Sequence, residues 1–278
     1  MYGTGQGSGN SPTYWLFISS TLFDIYDQTA TGSTYTSYNN DYSIILKAIG
    51  IVDNVRNTTN TFYNNTSNLT TLTALAQSNA QLWHDILSTT NQALELSKCG
   101  YHSITYAFNH HGRPNIIAKP KCDIIINDTQ GFPLPIQQCP NFMATKYLGV
   151  QKCPAHQMKQ YTVLKVKCNH FAKVIQPSHL TRCETQVFYW SIYQLSVNYV
   201  LPSTYFTFKE LSKVQSLSHS AMPTQTGYCR TTPREVVYAS PRLGGAGLFH
   251  LYDEQGFGQV KMFLKMWRSP DTQTGQLL

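Results

Sequence analysis

Hydrophobic positions change spacing near the middle of the chain, and this change predicts two regions of different character. From Thr13 to Tyr26, Trp15, Leu16, Ile18, Leu22, Phe23 and Ile25 recur three and four residues apart. That spacing predicts a helix, capped by Ser11 with Pro12 at its first position. Residues 27–41 are polar and read as a connection. The run Tyr42 to Val52 is rich in β-branched residues (Ile44, Ile45, Ile49, Ile51, Val52) and stops at Asp53-Asn54. Both residues suit a turn, so the stretch predicts a β-hairpin with a carboxylate at its tip. An Asn- and Thr-rich loop follows, then a long helix over Leu69 to Leu96, with Leu72, Leu75, Leu82, Trp83 and Ile86 on one stripe.

Tyr101 to Phe108 alternates and predicts a strand, His110 to Pro114 a turn, and Ile116-Ile117 and Ile124 to Ile126 further short strands. Pro133, Pro135 and Pro140 are expected to break the next stretch into a loop. Lys146 to Val150 predicts a short strand ending at Gly149. After about Tyr161 the pattern turns helical: Phe171–Ile175, Leu180–Leu195, Lys209–Leu217 and, beyond a Gly/Pro-rich passage from Thr231 to Gly247, a last helix over Leu251–Arg268. The expected architecture is α+β, with a sheet-and-helix domain over residues 1–155, a helical one over 156–278 and the boundary between 151 and 170.

Composition adds constraints. The chain has 278 residues, 41% hydrophobic and 13% aromatic, which permits a substantial core and argues against general disorder. Charged residues are only 13%, yet Lys and Arg number 21 against 14 Asp and Glu, a formal +7. A basic excess suits a polyanion partner. The seven cysteines are widely spaced without a Cys-x-x-Cys, and Met1 to Gly5 shows no leader-like apolar segment. Reduced thiols and a cytoplasmic or nuclear location are therefore expected. The longest apolar stretches are too short or too interrupted to span a bilayer, so no membrane partner is expected.

Candidate chemistry lies in a few places. Gly5-Gln6-Gly7-Ser8-Gly9-Asn10-Ser11-Pro12 is a glycine loop feeding a helix start, where backbone N–H groups and the helix dipole favour anions. It lacks the Gly-Lys-Ser/Thr of a Walker loop. On the last helix Lys261, Lys265 and Arg268 share one face, with Phe257, Val260, Phe263, Leu264 and Trp267 mainly on the others. Such a stripe follows a phosphate backbone or simply faces solvent. His110-His111 is a turn pair. Cys168 and His170 lack the second pair that a zinc site needs.

Four of these segments, in order, resemble the palm of a retroelement reverse transcriptase. Gln6-Gly7…Ser11-Pro12 resembles the Gln-Gly-x-x-x-Ser-Pro motif that lies along template and incoming nucleotide. Ile51-Val52-Asp53-Asn54 resembles the hairpin ending in an Asp pair. Ala93-Leu94-Glu95-Leu96-Ser97-Lys98 resembles the helix-to-strand lysine motif. Lys146-Tyr147-Leu148-Gly149-Val150 resembles the primer grip. The tail, with Gly227 to Arg234 and Gly244 to Leu248, is similar to the thumb side of retroelement polymerases.

The resemblance implies a partial palm over 1–155, a thumb-like region over 156–278, and RNA-directed DNA polymerisation. Its implied partners are an RNA template, a DNA primer and dNTPs, with other parts of a retroelement polyprotein nearby. Asp53 would hold Mg²⁺, with Asn54 beside it. Lys98 would protonate the leaving pyrophosphate, although a solvated lysine at a helix end reads the same way. Tyr147, Leu148 and Gly149 would hold the primer end. Two-metal transfer needs several carboxylates. Here the second hairpin position is the neutral Asn54, and the strand that would carry a further Asp should lie before Gln6. Impaired polymerisation is therefore expected, and the alternative is a non-catalytic nucleic-acid-binding or structural remnant.

Overall fold

The structure is a computed structural model that describes residues 11–37, 40–51, 54–57, 68–90, 92–111, 113–116, 123–128, 130–272 and 275. The fold is mixed α+β, and its sheets are small and mainly antiparallel. The chain divides into two compact units, one formed by Met1–Asn141 with Asp271–Leu278, the other by Phe142–Pro270.

In the first unit, helix α1 (Ser11–Thr29) runs where the apolar spacing predicts it. Its inward face, Leu22 and Tyr26, meets Trp83, Ile86 and Leu87 of α2 (Asn68–Thr89). Phe23 stacks on Trp83 at 5.3 Å and Tyr26 meets the same ring edge-on at 5.3 Å. Burial pushes the Tyr26 phenol up to about 12. The helix α2 stops seven residues short of the expected Leu96. Residues 92–95 run without regular structure, and a single 3₁₀ turn, Leu96–Lys98, precedes β5 (Gly100–Tyr101).

The run Tyr42–Val52 is not one strand. It breaks at Lys47 into β2 (Ser43–Leu46) and β3 (Ala48–Ile51). Strand β2 pairs with β1 (Ser33–Thr36), which lies inside the polar stretch expected to be a connection. Strand β3 pairs antiparallel with β4 (Asn54–Asn57), Ile51 opposite Asn54. The antiparallel hairpin is as expected, but Asn54 is paired within β4 rather than sitting in an Asp53-Asn54 turn; Val52 and Asp53 lie outside the described residues. The segment Tyr101–Phe108 is likewise interrupted: β5 ends at Tyr101, and β6 (Tyr106–Phe108) forms a separate hairpin with β7 (Pro114–Ile116).

The proline-rich stretch is a strand rather than a loop. Strand β9 (Pro133–Gln138) pairs antiparallel with β8 (Ile124–Asn127), and parallel with β5 only at Gln137 and Gln138. Asp128 N donates to Phe132 O, which fixes the alternation of the ladder. Pro133 and Pro135 then fall at positions whose N–H would point away from β8, so their missing donors cost the ladder nothing.

The second unit opens with β10 (Thr145–Tyr147) and β11 (Val150–Lys152), followed by α3 (Met158–Ile175). One helical rod then comprises α4 (Arg182–Phe188), a π-helical segment Tyr189–Gln194 and α5 (Leu195–Asn198). A 3₁₀ turn, Leu201–Ser203, leads to α6 (Phe208–His219), α7 (Met222–Gln225), α8 (Arg234–Tyr238) and α9 (Leu251–Trp267). Capping boxes start α4 and α6: Thr181 with Glu184, and Thr207 with Glu210. The core joins Leu164, Cys168 and Ile175 of α3 to Tyr189, Tyr193 and Val197 of the rod and to Leu211 and Val214 of α6. Tyr193 hydrogen-bonds Ser218 at 2.7 Å and touches the Cys168 thiol at 3.8 Å. Burial pushes that thiol up to about 11, so Cys168 is an inert packing residue.

Candidate functional site

Of the residues that the resemblance assigns to chemistry, Gln6, Gly7 and Asp53 lie outside the described residues. Ser11 and Pro12 form the first turn of α1 and Asn54 opens β4, each described by its backbone alone. Lys98 is exposed at the end of its 3₁₀ turn. Its charge, with hydrogen bonds from Ser97 as the larger cause, holds the Glu95 carboxyl below its ordinary value. Among the described residues no three His, Cys, Asp or Glu side chains gather as a metal site. Asp24 and Asp27 are exposed on α1. With the neutral Asn54, the hairpin pair supplies one carboxylate fewer than a two-Mg²⁺ site uses.

The Leu-Gly segment is better defined, and differs from expectation. Leu148 and Gly149 do not end a strand; they are the two-residue turn of the β10–β11 hairpin, with Tyr147 opposite Val150. Both have positive φ, 49° at Leu148 and 81° at Gly149, as a type I′ turn requires. Glycine accepts that conformation freely, and leucine does not. Tyr199 supports the turn by donating its hydroxyl to Leu148 O at 2.8 Å. The Leu148 side chain is 39% exposed at the tip.

Beside this hairpin a cleft of about 300 Å³ is lined by Val150, Lys152, Cys153, Gln157, Gln160 and Tyr205 among others. Its lining carries one cation and no carboxylate. Lys152 Nζ donates to Ser203 O at 3.0 Å, and Gln160 accepts from Gln151 N at 2.7 Å, so the wall is held by its own polar groups.

Helix α9 presents the third feature. Leu251 and Gln255 are buried, and Gly258 lies where a Cβ would sit 2.6 Å from Pro202. This anchors the first half. Farther on, Lys261, Lys265 and Arg268 are all exposed, as the sequence spacing anticipates. The aromatic residues around them are exposed as well: Phe257 at 67%, Phe263 at 48% and Trp267 at 59%. Phe263 and Trp267 stack at 6.1 Å. Cations and ring faces are thus offered to solvent together.

Charge is divided unequally between the units. Phe142–Pro270 holds 15 Lys and Arg against 5 Asp and Glu, a formal +10. The remainder holds 6 against 9, a formal −3. The modest +7 of the whole chain conceals this contrast.

A polar cluster in the second unit escaped the sequence reading. Ser212, Gln215 and His219 of α6 meet Tyr238 of α8 and His250 at the start of α9. Burial lowers the His219 imidazole to about 4, helped by the Arg234 charge and by His250, and burial also lowers His250. No local signal marks this group, because the two histidines are distant in sequence and neither sits in a motif.

Comparison of the chain with protein-family models, with curated proteins and with solved structures returns no match.

Proposed function

We propose that the chain is a nucleic-acid-binding protein of reverse-transcriptase ancestry, which engages RNA template and DNA primer through its second unit. The observation that carries this reading is the formal +10 of Phe142–Pro270, with Lys261, Lys265 and Arg268 exposed beside aromatic faces on α9. Lysines and arginines hold phosphates by releasing counterions, and exposed aromatic rings stack on unpaired bases. The turn at Leu148-Gly149, with an exposed leucine at its tip, supports the primer-grip assignment drawn from the resemblance. Nucleotidyl transfer from dNTPs is impaired in this reading, since Asn54 replaces a carboxylate in the hairpin pair.

Two measurements test it together. Fluorescence anisotropy with a single-stranded RNA and with an RNA–DNA hybrid should show binding that weakens steeply with salt. Primer extension on RNA with Mg²⁺ should show little incorporation, rising in Asn54→Asp. No salt-dependent binding would overturn the nucleic-acid reading. Robust incorporation by the unmodified chain, lost in Asp53→Ala, would overturn the impairment alone.

A further inference from the structure

We propose that His219 and His250 form an acid-triggered latch, in which protonation of either ring releases the first turn of α9 from α6. The case rests on hydrogen bonds whose directions are fixed. Gln215 Oε1 accepts from Leu251 N at 3.0 Å, so its Nε2 is the group that faces Phe249 O and His219. That amide nitrogen lies 2.6 Å from His219 Nε2, which must therefore accept. The proton of neutral His219 sits on Nδ1, directed at the Tyr238 hydroxyl 3.4 Å away. Gln215 thus ties α6 to the start of α9 and depends on an unprotonated His219 Nε2.

His250 is the N-cap of α9. Its Nδ1 accepts from Tyr252 N at 3.2 Å, so Nε2 carries the proton and donates to Ser212 Oγ at 3.1 Å. This tautomer also excludes His250 as a base for Ser212, because the nitrogen that faces the hydroxyl is already protonated. A second proton on either histidine would point an N–H at an existing donor: the Gln215 amide for His219, the Tyr252 N–H for His250. At His250 it would also place a cation at a helix N-terminus, where the dipole opposes it.

The surrounding charges act in both directions. Arg234 of α8 disfavours a cation at both rings, while Asp253 of α9 favours one at His250. Tyr238 stands between the rings, 5.2 Å from His219 and 5.6 Å from His250, with Glu235 beside it; Phe208 stacks on His250 at 4.9 Å. His219 ends α6, where the dipole favours a cation, but burial and the amide donor outweigh that. The latch does not depend on what α9 binds.

Amide hydrogen exchange on the full chain tests it, with rates corrected for intrinsic pH dependence. Protection over Leu251–Gln255 should fall about tenfold or more between pH 7 and pH 5 while α3 stays protected. His219→Gln with His250→Asn supplies neutral acceptors, Asn also being a good N-cap, and should keep protection at both pH values. Equal protection of the wild type at both pH values, or an equal fall in the double variant, would overturn the proposal. Imidazole NMR titration of the wild type gives a check that needs no variant. Protonation of His219 above pH 6 with α9 protection retained would also overturn it.

Discussion

Gln77, on α2, holds both backbone polar groups of Ile125 on β8: its side-chain oxygen accepts from Ile125 N at 2.7 Å, and its nitrogen donates to Ile125 O. One helical turn on, Gln81 treats Asn127 in the same way, at 2.7 and 3.0 Å. The match is geometric. Four helical residues rise about 6 Å and two strand residues about 6.6 Å, so glutamines at i and i+4 meet alternate residues of an edge strand. The helix thereby closes the edge of β8 that β9 leaves open. The same device recurs where Asn79 clasps Thr31 and Gln255 clasps Phe206. A carboxamide offers a donor and an acceptor together, which suits a chain with few charges.

Replacing Gln77 by Ala should therefore destabilise the protein by about 1–2 kcal/mol, tempered because water can reach the exposed strand. Gln77→Glu keeps the acceptor and loses the donor, so its loss should be smaller than that of the Ala variant in neutral solution. Urea denaturation checks this: the midpoint should fall in the order wild type, Glu, Ala, with the slope unchanged. Identical midpoints would mean that solvent replaces the clasp fully.

At the β10–β11 tip, stability and contact should separate. Leu148 holds φ 49°, a region that Asn enters far more easily. Leu148→Asn is expected to stabilise the unit by about 1 kcal/mol through relief of that strain. If the exposed leucine serves to hold a primer end, the same variant should bind an RNA–DNA hybrid more weakly. A thermal melt and an anisotropy titration on one sample decide this. Gly149→Ala should destabilise by a similar amount, since its φ of 81° penalises any Cβ.

How much of this was legible depended on periodicity. Helices α1, α6 and α9 follow apolar spacing directly, whereas only the end of α3, Phe171–Ile175, was legible. The β3–β4 pairing was readable from β-branched residues, with its turn expected one residue late, at Asp53-Asn54. Strand β1 was not, because Ser33–Thr36 carries no apolar alternation and is fixed by pairing with β2. Strand β9 was missed for a related reason. Proline penalises a ladder only where its N–H is needed, and sequence alone does not reveal register. The end of α2 was misplaced because Leu94 and Leu96 continue a leucine-rich pattern after the helix has stopped. The basic face of α9 was legible, whereas the exposure of its aromatic side was not. The His219–His250 cluster depends wholly on tertiary packing of α6, α8 and the α9 cap.

Nucleic-acid affinity should respond to α9 in a graded way. Each phosphate contact contributes a slope of about 0.7–0.9 in log affinity against log salt. Replacing Lys261, Lys265 and Arg268 by Ala together should lower that slope by up to about 2–3, with little effect on stability because all three are exposed. Phe263→Ala with Trp267→Ala should instead weaken single-stranded RNA by about 1–3 kcal/mol per lost stack, with the slope preserved. Titrations at several salt concentrations distinguish the two kinds of loss. An unchanged slope in the triple variant would remove α9 from the interface.

The acid dependence of stability has a defined sign. His219 is lowered to about 4 in the folded chain and returns to about 6.5 on unfolding. The unfolded chain therefore binds a proton over this interval that the folded chain refuses. Stability from the neutral ring is complete above pH 6.5, declines as pH falls and levels off below about 4, a total of about 3 kcal/mol at most. His250 is also lowered by burial and adds in the same direction. Glu254 works against both: burial raises its carboxyl, so proton uptake there favours the folded state. Glu184 is lowered by its bonds from Thr181 and weakens the fold only once pH reaches the carboxylate range. Between pH 6.5 and 5.5 the histidines should dominate. Denaturation midpoints measured across that interval should fall in the wild type and fall less in His219→Gln; parallel curves would show that His219 takes up its proton in the folded state without cost.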